Sequence, residues 1–169
     1  EPYRRQRQMC IRDRFDGEAV LGYLNELEDA TKNLNPAGDA YWEGKNLHPL
    51  GMGVLMADQL GETELRDTFL KRMKKILVNW FTYDGKDDIS YFIYNNNWGT
   101  LYYEQSEFGA NAAICDHHFT YGYFMFAATV LATYDQEFYN DYKGMIEMMI
   151  RDYAGPSDND SEYCRFRAY

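Results

Sequence analysis

Four stretches of this chain carry apolar residues at helical spacing, and they alternate in kind: one apolar on almost every side, the next on a single stripe. Between Asn46 and Leu60, the residues Leu47, Leu50, Met52, Val54, Leu55, Met56 and Leu60 run nearly all the way round. That helix is expected to be buried on most sides. Gly61 then reads as a glycine C-cap. From Glu62 to Phe81, Leu65, Phe69, Met73, Ile76, Leu77 and Trp80 share one face, with Arg66, Lys71, Arg72, Lys74 and Lys75 opposite. The pair then repeats. Phe119 to Tyr134 is aromatic and apolar almost all round, and Phe138, Tyr142, Met145, Ile146 and Met149 give the next helix one stripe. A buried helix alternating with a half-exposed one is the rhythm of concentric α-hairpins, an all-α toroid. A simple bundle shows similar stripes on each helix. An earlier helix from Phe15 carries Val20, Leu21, Leu24 and Leu27 on one face and breaks at Asn35-Pro36-Ala37-Gly38.

Residues 82–114 interrupt the alternation. Asp84-Gly85 signals a turn, Ser90 to Tyr94 an extended segment, and Asn95 to Thr100 a loop. A connection this long and aromatic inside a helical domain is usually functional. Aromatic residues make up 17% of the chain, with 16 Tyr, 10 Phe and 3 Trp. Such rings either fill a helical core or line a groove where they stack on sugar faces.

The net charge of −10 argues against a nucleic-acid partner, which needs a basic surface, and suits a neutral polysaccharide. No apolar run approaches the ~18 residues of a membrane span, so no membrane partner is expected, and no signal-peptide pattern is present. Cys10, Cys115 and Cys164 are too few and too scattered for a disulfide framework or a structural zinc site and read as free, buried thiols. Residues 1–14 hold five of the 17 basic and two of the 27 acidic residues, leaving the remainder at −13. This segment lacks a hydrophobic period and is set aside as non-native or disordered. Asn159-Asp160-Ser161 fits the glycosylation triplet but carries no weight. Asp87-Asp88 and Asp158-Asn159-Asp160 lack calcium-loop spacing and read as solvated turns.

The densest polar-aromatic cluster runs from Cys115 to Phe124, where a loop enters a helix. On its residues alone it leaves three readings open. Asp116, His117 and His118 are good metal ligands, but neighbours on a helix point about 100° apart and rarely converge on one ion. Asp116 is a favoured N-cap. It also suits a carboxylic acid that protonates a glycosidic oxygen among sugar-binding rings.

The third reading gains from a wider pattern. Gly44-Lys45 opens an apolar helix that ends in Ala57-Asp58-Gln59-Leu60-Gly61. Asn97-Trp98-Gly99-Thr100-Leu101 follows, then Phe108-Gly109, then Asp116-His117-His118-Phe119 with Tyr121-Gly122-Tyr123-Phe124, and finally Arg151-Asp152-Tyr153-Ala154-Gly155-Pro156-Ser157. This ordered set, from about residue 40 to 169, resembles glycoside hydrolase family 81.

The resemblance implies an (α/α)6 barrel that hydrolyses β-1,3-glucan of the laminarin or callose type internally, with inversion and without cofactor or metal. It makes Asp116 the general acid. Residues 15–169 are then an incomplete (α/α)6 catalytic domain with a long aromatic loop. About five helices cannot close a six-hairpin ring, so an exposed apolar seam is expected. The family's general base is a Glu in a later segment, not found within these 169 residues, so the chain alone is expected to be inactive. Candidate sugar contacts are His117, His118, Tyr121, Trp98, Tyr102, Tyr41 and Lys45, with Tyr103, Trp42 and His48 behind them. Phe119, Tyr121 and Trp98 are expected around Asp116. Thr120 stands where the family usually has a further His, which puts one sugar contact in doubt. Asp39, Glu43, Glu104 and Glu107 read as solvated loop charges. Secretion follows from family habit. The competing functions are a carbohydrate-binding protein without catalysis and another toroid enzyme, such as a polysaccharide lyase or epimerase.

Overall fold

The computed structural model describes residues 16–155. The expectations for residues 1–14, Cys10, Cys164, the Asn159 triplet and Asp158-Asn159-Asp160 lie outside them. The first helix, α1 (Gly17–Thr31), starts where the Asp16 carboxylate accepts the Ala19 N–H at 3.0 Å. It buries Leu24 and rests Val20 and Leu27 on the core.

Helix α2 (Ala40–Leu60) begins well before Asn46. Gly44 and Pro49, both poor helix formers, are accommodated within it. Pro49 lies on the exposed side, where solvent reaches the Lys45 carbonyl that proline has no N–H to meet. Gly44 is a point of close approach, because a Cβ there would sit 2.7 Å from Cδ2 of Tyr123. Asp39 caps the helix, its Oδ1 accepting the N–H groups of Tyr41 at 2.9 Å and Trp42 at 3.2 Å. Gly61 ends it at φ 79°, as the glycine signal indicated. Burial is less complete than the all-round apolar pattern suggested: Leu55 and Met56 are 36% and 41% exposed.

Helix α3 (Thr63–Phe81) buries Phe69, Met73, Leu77 and Trp80 and leaves its lysines outside. The long connection holds an antiparallel ribbon, β1 (Phe92–Asn95) and β2 (Thr100–Tyr103), with Phe92 opposite Tyr103. Its turn is fixed by Asn95, whose Oδ1 accepts from Asn97 and Trp98. A four-residue helix α4 (Ala110–Ala113), without a sequence signal, precedes α5 (His117–Tyr134) and α6 (Gln136–Ala154).

The chain is thus mostly helical, arranged as two α-hairpins. The inner helices α2 and α5 adjoin each other, α3 backs α2, α6 backs α5, and α1 lies over α2 and α3. The ribbon closes one end. Phe92 inserts between Trp80 and Phe124, with ring centroids at 5.2 and 5.0 Å, and Leu101 and Tyr103 are buried beside them. That anchorage brings the ribbon to the N-terminal ends of α2 and α5, where the polar cluster sits.

Candidate active site

Three non-glycine residues around α4 adopt left-handed backbone: Phe108 (φ 57°), Ile114 (φ 51°) and Asp116 (φ 58°). Each such residue costs on the order of 1–3 kcal/mol and persists only where its surroundings impose it. Asp116 occupies the N-cap position of α5, and its carbonyl accepts the Phe119 and Thr120 N–H groups at 3.1 and 2.9 Å. Its side chain makes no cap hydrogen bond. A capping carboxylate needs extended backbone to reach back to the helix, and the left-handed conformation denies it that geometry. The cap expectation therefore holds for the position and fails for the carboxylate. Oδ2 meets the Cys115 thiol at 3.7 Å. That thiol is free and half-buried, and burial followed by the Asp116 carboxylate pushes its pKa up.

The Asp116 side chain lines an open hollow of about 290 Å³. Tyr41 and Phe119, stacked with centroids 5.9 Å apart, form one wall. Phe108, 69% exposed, forms another, with Trp42 behind it at 6.2 Å. Tyr103 and Thr120 lie in the buried layer beneath. Burial first, and then the Asp39 carboxylate, pushes the Tyr103 hydroxyl to about 12 despite its contacts with Thr120 and Ser106. Tyr103 therefore remains an O–H donor at neutral pH. Thr120, in place of a histidine, supplies a hydroxyl to Tyr103.

Two acidic residues taken as solvated loop charges are buried and hydrogen-bonded instead. Asp39 is 4% exposed, and its Oδ2 accepts the Glu107 N–H at 2.9 Å, tying the cap of α2 to the loop that carries Phe108. Glu43, 2% exposed, accepts from the Ala37 N–H at 2.9 Å, the Asn46 amide at 2.9 Å and the Trp80 indole at 3.4 Å. The one sequence clue to Asp39 is its cap chemistry, which counts only once α2 starts at Ala40 rather than at Asn46. Glu104 is exposed, and Glu107 is exposed with its Oε2 accepting the Trp42 indole N–H at 2.8 Å.

The candidate sugar contacts divide. Tyr41 lines the hollow, and the Lys45 ammonium stands 5.8 Å over the Tyr41 ring. His118 is exposed on the first turn of α5. Trp98, 54% exposed, and Tyr102 face each other at 6.5 Å on the ribbon, and neither lines the hollow. Tyr121 is fully buried and donates its hydroxyl to the Leu101 carbonyl at 2.8 Å, so it does not touch a sugar as expected. His117 is also buried, and its Nδ1 lies 2.7 Å from Asp152 Oδ2. It too departs from the expected sugar contact, because an apolar-faced helix start leaves only one of two adjacent histidines outward. The same divergence separates the would-be metal ligands, and no group of three or more His, Cys, Asp or Glu placed to hold a metal occurs among the described residues. No described helix is long and apolar enough to cross a membrane.

A larger hollow of about 470 Å³ lies between the α1–α2 connection and α3, lined by Arg72, Lys75, Asn79 and Glu43 among others. It contains none of the Cys115–Phe124 cluster. The smaller hollow is where a carboxyl with no cap hydrogen bond meets exposed rings.

Comparison with known proteins identifies the family. Residues 20–169 match the glycosyl hydrolase family 81 C-terminal domain. A glucan endo-1,3-beta-D-glucosidase of Acetivibrio thermocellus is 36% identical over 151 residues, 88% of this chain and 19% of that protein. Another of Thermobifida fusca is 36% identical over 159 residues, 93% of this chain and 21% of its own length. This chain thus spans about a fifth of these relatives. A solved glycoside hydrolase family 81 structure from Clostridium thermocellum superposes with a TM-score of 0.80 at 35% identity, covering 92% of this chain and 22% of that one. With the hairpin fold, the ordered motifs and these matches together, the chain belongs to glycosyl hydrolase family 81 and falls within the C-terminal domain of that family.

Proposed function

We propose that this chain supplies the proton-donating wall of a site that hydrolyses β-1,3-glucan internally with inversion, and that Asp116 is the general acid. The observation that carries this reading is the Asp116 carboxyl, held off its own helix and lining a hollow walled by exposed aromatic rings. Flat apolar rings suit the faces of glucosyl units. A lyase acting on a uronic acid wants cationic groups near the substrate carboxylate, whereas the charged residues lining the hollow are Asp116 and Glu107.

In the proposed step, the Asp116 carboxyl gives its proton to the glycosidic oxygen as the C1–O bond breaks, and becomes a carboxylate. A water bonds to C1 from the opposite face while a second carboxylate takes its proton, so the β-linkage yields an α-hemiacetal. Inversion sets the two carboxyls about 6.5–9.5 Å apart to leave room for that water. Glu107 is already engaged by the Trp42 indole, so the base is assigned to another part of the protein that carries this chain. The proposed site of action is outside the cell, where a polymer that does not cross membranes is met.

Proton NMR of laminarin digestion by that protein tests the reading. New reducing ends should appear first as the α-anomer, with no comparable release from a β-1,4-glucan. β-Anomer first, or equal cleavage of both polymers, contradicts it.

A further inference from the structure

One buried polar group stands just behind the hollow. Asp152, near the end of α6, is 0% exposed. Its Oδ1 accepts the Leu101 N–H at 2.8 Å and the Thr100 hydroxyl at 2.9 Å, and its Oδ2 lies 2.7 Å from His117 Nδ1. The residue therefore joins three elements: the end of α6, strand β2 and the first turn of α5.

The carboxylate only accepts, so the bond to His117 requires the hydrogen on Nδ1. In the neutral ring, Nε2 is then a lone pair, and it is buried without a hydrogen-bond partner among the described residues. An unpaired acceptor in the interior is costly, so the imidazole is held by its Nδ1 side rather than by Nε2. His117 follows Asp116 directly, and Asp116 is the residue forced into left-handed backbone. The chain turns there with no side-chain cap to stabilise the turn. What fixes the turn is the adjacent imidazole, locked onto a carboxylate that two donors of β2 hold in place.

We infer that Asp152 is a positioning residue: through Nδ1–H of His117 it clamps the strained start of α5 and so sets the direction of the Asp116 carboxyl at the hollow. The inference rests on Asp116 being the acid and adds what aims it. An Asp152→Asn change presents an amide N–H to Nδ1. The imidazole must then carry its hydrogen on Nε2, where a donor has no partner, or turn away. Either response shifts the first turn of α5.

A leaving group that needs no protonation separates aiming from folding. In the protein that carries this chain, laminarin and β-laminaribiosyl fluoride are compared, since fluoride departs without a general acid. Asp152→Asn should lose about 10- to 100-fold in kcat on laminarin, the range for removing a carboxylate that orients an imidazole. On the fluoride it should stay within about threefold of wild type, and Asp116→Asn should show the same selectivity. His117→Asn, whose amide N–H replaces Nδ1–H, should keep most of the laminarin activity, and His117→Leu should not. Should Asp152→Asn fail to fold, Thr100→Val removes one donor to Asp152 and should give a smaller loss of the same selectivity. Equal losses on both substrates, or no loss on laminarin, overturn the positioning role while leaving Asp116 in place. If Asp116→Asn itself shows no selectivity, the acid assignment fails first, and the role of Asp152 fails with it.

Discussion

At the scale of single residues, the account turns on which carboxylates are engaged. Asp39, Glu43 and Asp152 are buried and spend their oxygens on backbone, amide, indole or imidazole donors. Asp116 keeps its carboxyl at an open surface. Asp39 serves two segments, so Asp39→Ala should cost about 1–2 kcal/mol through the lost cap. It should also raise the KM for laminarin, because the Glu107–Phe108 wall loses its tie. Denaturant titration with steady-state kinetics checks both, and an unchanged KM contradicts the second part. Residue type left three readings of Asp116 open, and the resemblance to family 81 chose the acid among them. Residue type did not separate His117 from His118, or Tyr121 from Tyr41, because which neighbour turns inward depends on where α5 meets β2 and α6. That is a property of packing across segments, not of local pattern.

At the scale of elements, α2 and α5 approach closely because glycine permits it. A Cβ on Gly44 meets Tyr123 near its own Cβ, at 2.9 Å, where the ring has little freedom to move away. Gly144 on α6 has nothing within 4 Å of that position. Gly44→Ala should therefore lower stability by about 1 kcal/mol or more, overpacking exceeding the helix gain. Gly144→Ala should raise it by ~0.5–1 kcal/mol. Shifts of the same sign in the two denaturation midpoints contradict the close-approach argument. The start of α6 gives a pH signature. The Lys74 hydrogen bond, then the Phe138 N–H, hold the Asp135 carboxyl below its ordinary pKa, and the same bond raises Lys74. A depressed carboxylate stabilises the fold above its unfolded pKa of ~3.9 and loses that contribution as pH falls through the folded value. The lysine share is lost only as pH rises through its raised value, above ~10.4. With Lys74 40% exposed, the pair contributes no more than about 1 kcal/mol. Asp135→Asn should flatten the stability profile below pH ~4, and an unchanged acid limb contradicts this.

At the scale of the whole molecule, the alternation of all-round apolar and striped helices was enough to read two hairpins with α2 and α5 inside. The long aromatic stretch was legible as a non-helical connection with an extended part at Ser90–Tyr94, which the structure places at Phe92–Asn95. The early start of α2 was not legible, because the dense apolar run that marks the helix begins only at Leu47. Nor was α4, a single turn flanked by the left-handed residues Phe108 and Ile114. The exposure of Leu55 and Met56 shows the same limit: an apolar pattern states what a helix prefers, and neighbours decide what it obtains. If the hollow takes a neutral glucan by ring stacking, as proposed, binding should show little salt dependence despite the net charge of −10. The KM for laminarin is expected to change less than about twofold between low and high salt, and a steep rise contradicts stacking as the source of binding. The most direct test of the central claim is the rate of Asp116→Asn on laminarin relative to β-laminaribiosyl fluoride. The account predicts a fall of about 10²–10⁴-fold on the polymer with the fluoride nearly unaffected. Equal rates on the polymer for variant and wild type contradict Asp116 as the proton donor.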